Sequence, residues 1–557
     1  MKSQRQLPQK ILLLPLLVKM KKKKLLTDNT NNVNNFFIQG LMTQLNSGIH
    51  EQEQQESFSD LDQRFLQSLG KCFVDNNINQ SQGKALLNVL RSYPQLQFVP
   101  KDSRSLLQTP RDRIDVEDMP PGQYLHIGIQ STIFSILSGK LLHPVPEELL
   151  VDFSTDGAEL NKNTQMWPLQ IRLVNFVYNK PKLVGIYVGE KKPASFKHFF
   201  ANFVKEAQQI IKDGGIMYRN TRILIKFRCF IADAPARSYV LNHISHIGMK
   251  PCSKCEVQGE RFQHSTRYKG INHKVRTNKD YRDLVDTEHH TELSAIDGLP
   301  MDLVKQVPFD YMHLLCLGVM KKLIEAICFG KCMARKLPTY SIEFLSQRLI
   351  ILHSFCPREF ARIPRELDKY TKYKATEFRQ LLLYTFIVVS KGIISDDHYN
   401  HFLYIHTAMR VLLNDASSPE NIEFADNAIK RFILEGPKIH GLKFMTYNTH
   451  GTLHLVSDYK MYGSLDSISA FTYENSMPVY RSFVRKHHQP LQQISKRTWE
   501  RLHFSEGLDS KEDEIFKGCN THDQGPIMDI MKDNSNQYEN LKSPSFFIPF
   551  IVMIIQY

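Results

Sequence analysis

Two aspartates in the chain each follow directly on a short apolar run that is typical of a β-strand. Asp156 comes after Leu149–Thr155 and before a glycine, and Asp233 comes after Ile223–Ala232 and before Ala-Pro. Carboxylate oxygens are the ligands that Mg²⁺ and Mn²⁺ prefer, and two such ions can activate a water or hydroxyl for attack on a phosphodiester. Asp-Gly and Asp-Ala-Pro are also ordinary turn sequences. The joint position of the two acids is what indicates metal-dependent chemistry.

The elements around these aspartates indicate how the two side chains could meet. Apolar runs predict strands at 149–155, 167–178, 183–188 and 223–232, and an amphipathic helix at 195–212. The order strand, strand, strand, helix, strand resembles the core of the ribonuclease H-like fold, in which the first and fourth strands are neighbours. We therefore expect an α/β protein whose mixed sheet brings Asp156 and Asp233 to adjacent strand ends.

A three-acid metal site needs one more carboxylate, and the sequence offers two. Glu474 follows the apolar run Ile468–Tyr473, which predicts a last strand. Glu377 lies instead within 298–442, a region of helical periodicity that we interpret as a large all-helical insertion in the sheet core. We prefer Glu474 because a strand end after the insertion matches the position of the other two acids. Glu377 remains the alternative.

A Cys-x-x-Cys pair, Cys252 and Cys255, stands shortly after the second aspartate. Two thiolates are half of a tetrahedral zinc site, which needs two further ligands. Nearby imidazoles could supply them, and the candidates in sequence order are His243, His246, His264 and His273. A thiol pair without metal and a redox pair are the alternatives to a structural Zn²⁺.

A basic charge balance indicates a polyanionic partner. Among 557 residues, 71 are Lys or Arg and 57 are Asp or Glu, which gives a net charge of +14 and a pI near 9.1. Proteins of this balance commonly bind nucleic acid. Among the basic side chains near the second aspartate and the thiol pair, we predict DNA contacts at Arg237, Lys250, Arg261, Arg267 and Lys269.

The ends of the chain and its cysteines bear on where the protein acts. Nine unevenly spaced cysteines do not form the framework of a secreted disulfide-rich protein. The apolar run 11–18 is followed by Lys19 and by Lys21–Lys24, which we interpret as a nuclear localisation signal or a phosphate contact rather than part of a secretory signal. The apolar run 546–555 is too short to span a bilayer. We expect a nuclear protein that is not in a membrane.

Composition and periodicity divide the chain into six parts. We predict a disordered N-terminus at 1–58, rich in Asn, Gln and Lys, and a small helical unit with a proline-punctuated linker at 59–121. The first part of the sheet core covers 122–250 and opens with an amphipathic helix at 124–142. The Cys-x-x-Cys segment with the helical insertion covers 251–445, the last part of the core 446–500, and a tail that we interpret as truncated 501–557.

An ordered set of short motifs resembles the transposases of the CACTA (En/Spm) superfamily. The matching pieces are Asp156-Gly157 with Trp167-Pro168, Asp233-Ala-Pro-Ala, Cys252-x-x-Cys255, Asp310-Tyr-Met-His313, Lys374-Ala-Thr-Glu377-Phe-Arg, and His450–Leu455 with Phe471-Thr-Tyr-Glu474. The resemblance covers roughly residues 120–500 and implies a DDE/D transposase core interrupted by a helical domain.

The resemblance also implies an activity. It makes Asp156, Asp233 and Glu474, or Glu377 in its place, the ligands of two Mg²⁺ or Mn²⁺ ions that cleave DNA and join the 3′-OH ends of the element to target DNA. The implied partners are transposon ends and a target duplex, and a homo-oligomer is a further expectation for the chain. A catalytically inactive, transposon-derived DNA- or chromatin-binding protein is the alternative function.

Overall fold

The structure is a computed structural model that describes residues 58–137, 144–332, 336–357, 360–504, 517–521, 535–542 and 547–555. The chain divides into two compact units, of which the second comprises Thr109–Leu137 and His143–Trp499 and contains every predicted site residue. Apart from Phe58, the N-terminus predicted to be disordered lies outside the described residues, together with its apolar and lysine runs. Most of the predicted C-terminal tail lies outside them as well.

The first unit contains a small helical cluster. Its helices are α1 (Phe58–Asp75), α2 (Gln80–Arg91), a 3₁₀ turn (Pro94–Leu96) and α3 (Ser103–Leu106). Helix α2 begins at Asn79, whose side chain accepts from the Gln82 backbone amide while the Gln82 side chain accepts from that of Asn79. This capping box satisfies two backbone donors that a helix start leaves free. Buried Phe73, Leu87 and Val99 form the core of the cluster.

A mixed eight-stranded sheet forms the centre of the second unit. Its strands are β1 (Glu117–Met119), β2 (Gly122–His126), β3 (Glu148–Thr155), β4 (Ala158–Asn161), β5 (Thr164–Leu173), β6 (Lys182–Gly189), β7 (Ile216–Tyr218) and β8 (Thr221–Ile231). The order across the sheet is β1-β2-β6-β5-β3-β8-β7, and β4 pairs with β5. Strands β3 and β8 are parallel, and every other pair in this sheet is antiparallel. The predicted mixed α/β class is confirmed.

The core of this sheet is aromatic. Helix α4 (Ile129–Leu137) and helix α5 (Phe196–Lys212) accompany the sheet. Phe153 of β3 lies between Phe200 and Phe203 of α5 on one side and Phe227 and Phe230 of β8 on the other, with ring centroids 5.1 to 6.5 Å away. Burying each such ring stabilises the fold by about 1.5–3 kcal/mol. The packing fixes β3 against β8, which is the contact that places the two aspartates.

The helix predicted at 124–142 is wrong in its first part. Tyr124 and Leu125 are buried in β2, and Gly128 adopts a φ of +100° that ends the extended segment. Helix α4 begins only at Ile129 and ends at Leu137. The Glu206 carboxylate accepts from the amides of Ile129 and Gln130 at 2.7 and 2.9 Å. A side chain distant in sequence therefore sets the start of this helix.

The chain between β8 and the C-terminal elements is mostly helical. After α6 (Ala234–Leu241) and the hairpin β9 (Glu260–Phe262) and β10 (Ser265–Arg267), the α-helices are α7 (Asn278–Arg282), α8 (Lys321–Ile327), α9 (Thr339–Ile351), α10 (Ala375–Gln380), α11 (Phe386–Val389), α12 (Asp396–Leu412), α13 (Pro419–His440), α14 (Tyr447–Gly451), α15 (Leu455–Tyr462), α16 (Phe471–Glu474), α17 (Met477–Phe483) and α18 (Pro490–Phe504). The 3₁₀ turns are Leu352–Phe355, Leu367–Lys372, Leu442–Phe444, Thr452–His454 and Leu465–Ile468, and the π-helical segments are Met312–Met320 and Leu381–Thr385.

The last strand predicted at 468–473 is wrong. The segment forms the end of a 3₁₀ turn and the helix α16 instead. The backbone amide of Ala470 donates to the carboxylate of Asp310 at 2.8 Å, so a side chain takes the donor that a sheet ladder would use. The remaining described strands, β11 (Lys517–Thr521), β12 (Ser535–Lys542) and β13 (Phe547–Ile555), form a separate antiparallel sheet. Among the described helices, none combines the length and the apolar character that crossing a bilayer requires.

A pair of buried histidines joins α12 to the end of α13. Nε2 of His401 lies 2.8 Å from the carbonyl oxygen of Phe432, so this nitrogen carries the proton and Nδ1 is free to accept. Nδ1 of His401 then accepts from Nε2 of His440 at 3.0 Å. Burial lowers the pKa of His401 to about 4, and burial together with the neighbouring imidazoles lowers the pKa of His440 to about 2. Both rings are neutral in the folded protein at neutral pH.

This pair makes the protein acid-sensitive. The folded pKa values lie below the unfolded value of about 6.5, so the stability they contribute is present above pH 6.5 and is lost as the pH falls, towards 4 for His401 and towards 2 for His440. The parent should lose unfolding free energy when the pH falls from 7 to 5. His401→Gln keeps a donor to the Phe432 carbonyl but has no imidazole to protonate, so we expect its loss over the same range to be about 2 kcal/mol smaller. Denaturant titrations at the two pH values measure the difference, and equal losses would contradict the assignment.

Candidate functional site

The sheet brings the two predicted aspartates to one edge. Strand β3 ends one residue before Asp156 and strand β8 ends two residues before Asp233, and the parallel register pairs Ser154 with Ile231. Both aspartates line one cavity of about 290 Å³, whose other lining residues are Gly157, Ala158, Glu159, Gln165, Trp167 and Pro235. The expectation that these acids meet is confirmed.

Glu474 is the third acid at this site. It is the last residue of α16, and one carboxylate oxygen of Glu474, one of Asp156 and one ring nitrogen of His313 lie within 4.8 Å of one another. Glu377, the alternative, is placed differently. Its buried carboxylate accepts from Nε and Nη2 of Arg365 at 2.5 and 2.9 Å and caps the start of α10. Glu377 is therefore a structural ion-pair partner within the helical region.

His313 also lies at this site, where the sequence predicted no histidine ligand, and it belongs to the motif Asp310-Tyr-Met-His313. Nδ1 of His313 lies 2.6 Å from Oδ2 of Asp310, and Nε2 lies 3.1 Å from Oε1 of Glu474. The spacing i, i+3 puts an acid and an imidazole on one face of a helical turn, which is the available sequence signal. Nothing in the sequence indicates that this face meets the end of β3.

The electrostatics of the site are those of crowded carboxylates. Burial, the charge of Asp233 and that of Glu474 raise the pKa of Asp156 to about 7, against the opposing effects of His313 and of the Gly157 amide. Burial lowers the pKa of His313, but hydrogen bonds to Asp310 and Glu474 outweigh it and hold the pKa well above the usual value. Carboxylates that are buried and repel one another in this way are a donor set that fits divalent cations, because the charge of a cation offsets the repulsion.

A second buried network positions the segment that precedes Glu474. The Asp152 carboxylate of β3 is fully buried and accepts from Nη2 of Arg172 at 2.7 Å and from Nε of Arg228 at 2.7 Å. Nη2 of each arginine also donates to the carbonyl oxygen of Ser467. The guanidinium of Arg172 lies 5.9 Å from the centroid of the Tyr473 ring. The sheet thus holds the chain on the N-terminal side of Glu474.

The thiol pair belongs to a separate four-residue group. Sγ of Cys252 lies 3.3 Å from Nε2 of His454, and Sγ of Cys255 lies 3.3 Å from Nε2 of His450. All four donor atoms lie within 4.8 Å of one another. A tetrahedral Zn²⁺ with bonds of about 2.3 Å to sulfur and about 2.0 Å to nitrogen separates its ligand atoms by roughly 3.5 Å. The four residues fit a structural zinc site, which we call the Cys₂His₂ group.

The histidines predicted to complete the thiol pair are not its partners. The ring of His243 stacks on that of His289 at 4.5 Å and hydrogen-bonds through Nδ1 to the Ile244 carbonyl, and His273 only packs edge-on against His450. His246 and His264 are not members of the group either. The two histidines that lie against the thiols are 195 and 202 residues further along the chain. Proximity in sequence was therefore a misleading guide.

Surrounding side chains fix the Cys₂His₂ group. Nε of Arg276 donates to the carbonyl oxygens of Cys252 and Cys255 at 3.0 and 3.1 Å, and the Lys254 amide donates to Sγ of Cys252 at 3.4 Å. Burial raises the pKa of Cys252, but the hydrogen bond from Cys255 and the facing imidazoles outweigh it and hold the pKa well below the usual value. A thiolate is the form that binds zinc.

The basic residues predicted to contact DNA are placed unequally. Arg237 is only 2% exposed, donates to the Ala232 carbonyl at 3.0 Å and lies 4.2 Å from the centroid of the Phe309 ring, so its predicted contact with DNA is wrong. Three others lie partly or fully at the surface, where Lys250 pairs with Asp286 and Glu288, Lys269 pairs with Glu260, and Arg267 is half-buried. Arg261 of β9 is exposed.

Comparison of the chain with models of known protein families and with curated proteins returned no match. The geometry of the two residue groups is accordingly the basis for assigning a function.

The Cys₂His₂ group predicts a defined zinc content. We expect the purified protein to hold about one Zn²⁺ per chain, and we expect Cys255→Ser and His450→Ala to lose that ion and to unfold at a lower temperature. Cys72→Ser, which changes a cysteine of the other unit, is the matched control and should retain the zinc. Elemental analysis and thermal unfolding measure both effects. Full zinc occupancy in both group variants would exclude this ligand set.

Proposed function

We propose that the chain cleaves DNA and joins DNA strands in a metal-dependent reaction, with Asp156, Asp233 and Glu474 as the ligands of two Mg²⁺ or Mn²⁺ ions. The observation that carries the proposal is the meeting of three carboxylates from distant parts of the sequence at the end of β3. Turn chemistry explains each aspartate singly, but it does not explain why a third acid and an imidazole lie beside them.

The proposed architecture is a ribonuclease H-like core. The order β6-β5-β3-β8, with β3 and β8 parallel and α5 between β6 and β8 in the chain, supports this assignment. The helical region between β10 and α14 is the proposed insertion. It separates the first two acids from the third, as the resemblance to the CACTA transposases implies.

The proposed chemistry follows from the donor groups. Asp156 faces both Asp233 and Glu474, so it would hold a cation together with either acid. Oδ1 of Asp233 accepts from the Ala236 amide at 2.7 Å, which fixes the side chain and leaves its other oxygen for a cation. When bound, two such cations activate the attacking water or 3′-OH and stabilise the leaving oxygen. Asp310 and the Asp152 network hold the ligands in place for this chemistry.

DNA is the proposed partner, as transposon ends and as a target duplex. The net charge of +14 supports a polyanionic substrate. The proposal includes a nuclear location, association of several copies, and a structural Zn²⁺ in the Cys₂His₂ group. With that ion the group would hold the segment that carries Arg261 against α14 and the 3₁₀ turn Thr452–His454.

Exchange of the acids tests the proposal. We expect the zinc-loaded protein to nick a supercoiled plasmid in the presence of Mg²⁺ or Mn²⁺. Asp156→Ala and Glu474→Gln should lower the rate by at least about 100-fold, because each removes a cation ligand worth several kcal/mol in the transition state. Binding of a fluorescent duplex at low salt should change little, since neither residue is basic. Nicking and fluorescence anisotropy are measured on the same preparations.

Glu377→Gln is the matched control, because it makes the same chemical change at the acid that the structure pairs with Arg365. We expect it to lower stability and to retain nicking below its unfolding temperature. Asp156→Ala protein that nicks as fast as the parent would refute the site. A parent protein that binds duplex DNA in a salt-sensitive manner and never nicks it would favour the inactive DNA-binding alternative.

A further inference from the structure

The acid site contains two unlike sets of donors. Asp156, Glu474 and His313 present two carboxylate oxygens and a nitrogen within 4.8 Å of one another, whereas Asp233 is not part of that set among the described residues. Donor atoms around one cation with bonds of about 2.1 Å lie roughly 3 to 4.2 Å apart. The first set is therefore compact enough to close on a single ion after small side-chain adjustments.

His313 is oriented as a metal ligand would be. Nδ1 lies 2.6 Å from the carboxylate of Asp310, which leaves Nε2 directed at Glu474. Metal-binding histidines almost always donate their second nitrogen to a carboxylate or carbonyl in this way. Asp310 is itself rigid, because it is buried and also accepts from the amides of Met312, His313 and Ala470. The imidazole is thus held in place before any ion binds.

We propose that His313, through Nε2, is the third protein ligand of the cation held by Asp156 and Glu474, and that this position prefers Mn²⁺ to Mg²⁺. The inference rests on the proposed metal-dependent function of the same site and adds a ligand and a metal preference to it. Nε2 of His313 and Oε1 of Glu474 lie 3.1 Å apart, so one cation can bind both atoms after small side-chain adjustments.

The preference follows from the nitrogen donor. Mg²⁺ binds oxygen ligands almost exclusively and gives up its water reluctantly, whereas Mn²⁺ and the later divalent metals accept imidazole readily. Asp156 with Asp233 offers only oxygen donors and suits either ion. The two halves of the site therefore differ in selectivity, although they share Asp156.

Spectroscopy of the Mn²⁺-loaded protein tests this ligand without any DNA. The protein is first saturated with Zn²⁺ so that the histidines of the Cys₂His₂ group are occupied. We expect electron spin echo modulation from a directly bonded ¹⁴N in the parent and in His126→Gln, a control imidazole on the same sheet. His313→Gln should lose that modulation and bind Mn²⁺ about 10- to 100-fold more weakly in a titration, while its Mg²⁺ affinity changes less than about twofold.

A second variant guards against an effect of folding alone. Asp310→Asn keeps the shape of the orienting side chain and should weaken Mn²⁺ binding less than His313→Gln does, with zinc content and circular dichroism unchanged. If the parent shows no ¹⁴N modulation, or if His313→Gln retains it, the ligand assignment is overturned. If His313→Gln loses Mn²⁺ and Mg²⁺ affinity equally, the preference for Mn²⁺ is overturned. DNA nicking with no ¹⁴N signal leaves the proposed function standing without this ligand. A ¹⁴N signal with no nicking supports His313 as a ligand and contradicts the proposed DNA cleavage.

Discussion

The buried carboxylate of Asp310 is the interaction on which the site depends. It accepts hydrogen bonds from two backbone amides at the start of its own helix, from the amide of Ala470 and from the ring of His313. A charge removed from water is costly unless donors surround it, so the burial of Asp310 requires the amide of the distant Ala470 as well as its local donors. That requirement delivers Glu474 to the end of β3.

The same principle recurs in two other places. Asp152 is enclosed by Arg172 and Arg228, and both arginines hold the Ser467 carbonyl. Asp458 accepts from Nζ of buried Lys254 at 2.6 Å and from the Phe309 amide at 2.9 Å. Each buried acid takes at least one donor from a segment that is far away in sequence. Buried charges with satisfied hydrogen bonds thus join the sheet, the Cys-x-x-Cys segment and the 450–474 segment. These directional contacts fix the relative positions of the three parts more specifically than apolar packing does.

Local sequence patterns predicted the elements whose structure depends mainly on residues close in sequence. The strands that end before Asp156 and Asp233 were predictable, because runs of apolar and β-branched residues alternate with turn signals, and parallel neighbours place equivalent ends together. The positions of His450 and His454 beside the thiol pair and of His313 beside Asp156 were not predictable, because pairing across more than one hundred residues leaves no local pattern. Arg237 misled for a related reason. In sequence, Arg237 is a basic residue shortly after an acid, which indicates a surface contact. In the fold, Phe309 and Tyr447 pack around its guanidinium.

The Cys₂His₂ group has a consequence for how the chain can vary. Its halves lie about 200 residues apart, so the whole helical region is a closed loop whose two ends meet at one point. The entropy of closing a loop grows only logarithmically with length, and doubling the number of residues adds about 0.6 kcal/mol. Evolution can therefore lengthen, shorten or exchange material within this loop at little thermodynamic cost, while the anchored ends preserve the distance between the acids on either side.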